Sequence, residues 1–81
     1  MTKRKLLKRF EYLSIVLNKS RNLGYFNLGQ RTCLHMERAA IFKAIDVIEG
    51  SDTVECTPNY TIPRHLEEKC DRVNKDFKIN I

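Results

Sequence analysis

Apolar residues of this chain recur at spacings of four and three in three separate blocks, and an α-helix is the element that sets such positions on one side. In the first block Leu6, Phe10, Leu13 and Leu17 form one seam, with Leu7 and Ser14 beside it. In the second, Leu34, Ile41, Ile45 and Ile48 make one row, and Cys33, Met36, Ala40, Ala44 and Val47 make an adjacent row. In the third, Leu66, Cys70, Val73 and Phe77 repeat the pattern. Only three Gly and two Pro in 81 residues interrupt these periods. The expectation is an all-α fold: an antiparallel helical hairpin plus a shorter third helix, joined by a Pro-containing extended crossing with room for one short strand. Residues 1–81 read as a single small helical domain.

Local signals place the boundaries. The first helix is expected from Lys3 to Ser20, ahead of Asn22-Leu23-Gly24, a C-terminal stop. The second is expected from Gly29 or Gln30 to Glu49, where Gly50 ends it. Asn27-Leu28-Gly29 between them reads as a short linker, which folds the two helices back on each other. The stretch SDTVECTPNYTI mixes β-favouring residues with Pro58 and reads as the extended crossing. The third helix is expected over 63–77, with Thr61 or Ile62 at its cap, Pro63 in its first turn, and Glu67 and Glu68 near the positive end of its dipole.

The net charge of +5 is placed unevenly. The first 21 residues carry seven Lys or Arg against Glu11 alone, while the other 60 carry eight basic and nine acidic groups. The basic character therefore belongs to one helix. On that helix Tyr12 and Val16 form a second apolar strip away from the main seam, with Ile15 near it and Lys5, Lys8, Arg9 and Lys19 along its borders. Two readings follow: the third helix or the extended crossing covers the strip, or the strip is an interaction surface with an apolar centre and a basic rim. Phe42 sits among Arg31, His35, Arg38, Asp46 and Glu49 on the polar side of the second helix. The candidate partner-binding residues are thus Lys5, Lys8, Arg9, Tyr12, Val16, Lys19 and Phe42. The second helix, with two apolar rows, is expected to be the central one. The surplus of apolar strips predicts a homo-oligomer.

Glu37 stands alone as a charge inside the apolar arc of the second helix. A carboxylate there needs a cation or a raised pKa. A salt bridge to Lys or Arg of the first helix is expected; the alternative is a specificity residue at a dimer contact or a buried acid.

Constellations that would carry catalysis are missing from the sequence. Cys33 and His35 diverge by about 160° on a helix, and His65 and Cys70 by about 140°, so neither pair converges on zinc. Cys56 adds a third thiol without CxxC spacing. There is no Gly-rich phosphate loop, no HExxH and no paired carboxylates. No catalytic residue, cofactor or metal is expected, and no enzyme activity. An odd number of scattered cysteines and the absence of a secretory leader lead to the expectation of a cytoplasmic protein. No run reaches the roughly 18 apolar residues of a membrane span.

What remains is binding. The expected function is that of a small intracellular interaction or regulatory protein that modulates a partner protein with an acidic or apolar surface. In its brevity and its Lys/Asn/Ile-rich composition the chain is similar in style to phage-encoded accessory proteins that inhibit or redirect a larger protein. The alternative is nucleic-acid binding through the N-terminal Lys/Arg-rich helix, a salt-dependent contact with the phosphate backbone.

Overall fold

The computed structural model describes residues 2–21, 24–49 and 60–78, apart from the side chain of Glu49. Three helices account for most of them: α1 (Lys3–Ser20), α2 (Leu28–Glu49) and α3 (Arg64–Phe77). No strand occurs among the described residues, and positions 51–59, where the sequence leaves room for one, lie outside them.

Local signals open each helix and close α1 and α3. The Thr2 hydroxyl accepts the Lys5 N–H at 3.4 Å and opens α1. The first turn of α1 holds no acid, so Arg4 and Lys5 stand against the helix dipole rather than with it. After α1, Gly24 takes φ 68°, the left-handed region in which a glycine is least strained. At the start of α2 the Gln30 N–H donates to Asn27 Oδ1 at 2.8 Å while the Asn27 N–H donates to Gln30 Oε1 at 3.1 Å. This reciprocal capping box draws Leu28 and Gly29 into the helix, so they are its first turn and not a linker. The Asn-x-x-Gln spacing carried that signal. Replacing Asn27 with Ala should lower stability by about 1 kcal/mol in urea unfolding; an unchanged midpoint would show that the box contributes nothing. Pro63 occupies the cap position of α3 instead of its first turn, and of the two expected acids Glu67 is the one in the first turn. Lys78, left-handed at φ 51°, closes α3.

Side-chain pairs fix the directions. Phe10 lies against Phe42 and Arg38 reaches Ser14, so α1 and α2 run antiparallel as a hairpin. Arg9 meets Glu67 and Tyr12 meets Asp71, so α3 runs alongside α1 in the same direction. The helix touched on two sides is therefore α1, not α2; α3 approaches α2 far less closely. The cause is the Tyr12–Val16 strip, which gives α1 a second apolar side. Correspondingly the second row of α2 is only partly covered: Ala44 is buried and Cys33 and Ala40 are half-buried, but Met36 and Val47 are 51% and 60% exposed.

The core joins Leu6, Leu13, Val16 and Leu17 of α1 to Leu34, Ile41, Ala44, Ile45 and Ile48 of α2 and to Leu66, Cys70 and Val73 of α3. Ile62, just ahead of α3, and Phe26, just ahead of α2, complete it. The far end of α3 is tied to the α1–α2 turn. The Tyr25 hydroxyl donates to Asp76 Oδ2 at 2.9 Å, the Tyr25 and Phe77 rings meet edge on, and Lys69 lies over the Phe26 ring.

Candidate functional site

The seven candidate contact residues fall into three groups. Val16 has no exposed surface and packs in the core, so it is not available to a partner. Tyr12 is half-buried, and its hydroxyl donates to Asp71 Oδ1 on α3 at 3.1 Å. Burial, and then that hydrogen bond, raise its pKa well above the ordinary phenol value. The strip they form is covered by α3, which corrects its reading as an interaction surface. Lys5, Lys8 and Lys19 are exposed on the α1 flank that faces α3. Phe42 is 63% exposed on the opposite flank of the hairpin.

Arg9 is also spent inside the fold. Its Nη2 lies 2.8 Å from Glu67 Oε1 and 3.5 Å from Glu37 Oε2, and its guanidinium sits 5.3 Å from the Tyr12 ring centre. One cation thus joins one carboxylate from each of the other two helices. Glu37, 5% exposed, has the partner on α1 that its position in the apolar arc requires. Burial raises its pKa, and Arg9 only partly offsets this; a hydrogen bond from the Ile62 backbone also favours the ionised form. For Arg9 burial acts downward, but Glu37 and Glu67 together outweigh it and the pKa stands above the ordinary value.

Between α1 and α2, Leu7, Phe10, Phe42, Ile45 and Asp46 line a groove of about 250 Å³. Four of the five are apolar. The groove is held by a short relay of contacts. Ser14 Oγ donates to the Phe10 carbonyl at 2.8 Å and accepts from Arg38 Nε at 2.7 Å. Arg38 in turn places its guanidinium 4.3 Å from the Phe10 ring centre, and Phe42, one turn further along α2, packs its ring 6.0 Å from Phe10. Cation–π and aromatic contacts of this kind contribute about 0.5–2 kcal/mol each. Leu7, expected beside the seam, is 42% exposed and forms the outer wall. Sequence alone flags Leu7 and Phe42 separately; only the antiparallel register brings them together.

Among the described residues the thiols and imidazoles do not converge. His35 and His65 are exposed, Cys33 lies against the Tyr60 hydroxyl, and Cys56 falls outside the described residues. Among the described residues no group of three or more His, Cys, Asp or Glu side chains is arranged to hold a metal ion. Cys70 has no exposed surface, and burial pushes its thiol up to about 12, too high for a thiolate nucleophile at neutral pH. No helix among the described residues is long and apolar enough to cross a membrane. Compared with protein-family models, curated proteins and solved structures, the chain shows no significant match.

Proposed function

We propose that the chain is a small cytoplasmic binding protein that modulates a partner protein without catalysis, and that the Leu7–Phe42 groove is its protein-contact site. The observation that carries this reading is Phe42, 63% exposed yet packed against the Phe10 ring, which Arg38 and Ser14 in turn contact. An aromatic ring that is both wet and pre-positioned is the usual anchor of a protein interface. Lys5, Lys8 and Lys19, on the other flank, steer an acidic surface and contribute more to encounter rate than to affinity.

A second reading draws on the first turn of α1. Arg4 and Lys5 oppose the helix dipole, so they do not serve helix stability, and with Lys8 they offer a phosphate-binding cluster. Affinity capture from nuclease-treated extract separates the two. The expected result is a nuclease-resistant protein that Phe42→Ser loses and that Lys5→Glu with Lys8→Glu retains more weakly, all with wild-type helix content. Recovery that nuclease abolishes, or equal capture by Phe42→Ser, would overturn the protein-contact reading.

A further inference from the structure

The α2 face that carries Phe42 is divided by charge. One turn before Phe42 stands Arg38, two turns before stands exposed His35, and one turn after stands exposed Asp46. Arg38 is held at the groove edge by its contacts with Ser14 and the Phe10 ring. Basic groups thus occupy the side of Phe42 toward the α2 N-terminus, and an acid occupies the side toward its C-terminus. Asp46 is itself part of the groove wall, so a uniformly acidic ligand would meet repulsion there.

The pattern complements itself when the helix is turned end for end. About a two-fold axis through Phe42, a residue k positions after it faces the residue k positions before it on the other helix. Asp46 then comes opposite Arg38 of the second copy, and the same pair forms again on the other side of the axis. The two Phe42 rings meet at the axis, between the walls that Leu7 and Phe10 supply from each α1. An isologous contact of this type closes on itself and leaves no sticky end.

From this we infer that the groove is one half of a two-fold interface with a second copy of this chain, with α2 packed antiparallel on its counterpart. The inference rests on the groove being a protein-contact site: a second copy occupies it until a partner protein displaces that copy. The dimer carries Lys5, Lys8 and Lys19 of both copies on its outer flanks, away from the axis. It also removes Leu7 and Phe42 from water, the two largest exposed apolar groups at the groove.

Sedimentation equilibrium on the full chain tests this. The expected mass is twice 9.5 kDa, falling to 9.5 kDa for Phe42→Ser and for Asp46→Arg. Both positions are exposed, so the variants keep the fold, which far-UV circular dichroism verifies. A wild type that stays at 9.5 kDa up to about 1 mM overturns the second copy as occupant. Phe42-dependent capture of another protein by that monomer would then leave the contact-site reading standing. A dimer that survives both Phe42→Ser and Asp46→Arg overturns the placement of the interface.

Discussion

Leu13→Ala will cost about 3–4 kcal/mol, the middle of the range for a fully buried leucine whose surroundings cannot collapse. Leu13 has no exposed surface and lies midway along α1, the helix that both α2 and α3 pack against. Neighbours on two sides hold the resulting cavity open. For a chain of 81 residues, total stability is on the order of 4–12 kcal/mol, so this single change removes a large share of it. In a domain of this size the melting temperature should fall by about 15 °C or more. Phe42→Ala deletes a larger side chain, yet Phe42 is 63% exposed, so its loss should stay near 0.5 kcal/mol. The pair therefore separates packing from contact: one residue holds the fold and the other serves the surface. Thermal unfolding followed by circular dichroism measures both. A Leu13→Ala loss below about 1 kcal/mol would mean that α1 is not the central helix.

Arg9→Met is the second large effect, and its signature is a change in pH dependence. The substitution keeps the length of the aliphatic stem but leaves Glu37 buried without its cation, with Glu67 nearby as a like charge. The penalty at pH 7 has a ceiling, because the carboxyl can protonate instead. From an ordinary value of 4.5, at 1.36 kcal/mol per pH unit, that ceiling is about 3.4 kcal/mol. A loss of about 2–3 kcal/mol is expected. The sign follows from burial raising the Glu37 pKa in the fold. The folded chain then holds the proton more tightly than the unfolded chain, so the cost is absent below pH 4.5 and grows as pH rises toward the folded value. Removing Arg9 takes away the main influence that lowers this value, so the window extends upward and the slope persists to higher pH. Adding Glu37→Gln removes the titrating group and should restore most of the stability while flattening the curve. Urea unfolding at several pH values is the measurement. A loss that is the same at pH 4 and pH 7, or that Glu37→Gln does not relieve, would show that Arg9 acts through packing alone.

Helix number, type and approximate extent were legible in the sequence, because each apolar row repeats with the helical period and ends at a Gly, Pro or cap residue. Glu37 was legible for the same reason: a lone carboxylate in an apolar arc demands a cation, and Arg9 provides it. The start of α2 was written there too, in Asn27 and Gln30, but the glycine beside them outweighed that signal. Periodicity says which side of a helix is apolar; it does not say what covers that side. Tyr12 and Val16 looked as suitable for a partner as for α3, and Met36 and Val47 looked as suitable for the core as for solvent. That choice depends on which helix pairs with which, and so on chain direction, turn length and the fit of long-range contacts such as Arg9 with Glu67. The groove depends on the same things. Leu7 and Phe42 are 35 positions apart in the chain, and neither is unusual alone. What the sequence determined by itself was three amphipathic helices with one buried acid, because those properties are local. That α1 is central, that the basic flank and the apolar groove lie on opposite sides, and that Phe42 has a slot beside it were decided by tertiary packing, because each is a relation between residues that only the folded register makes neighbours.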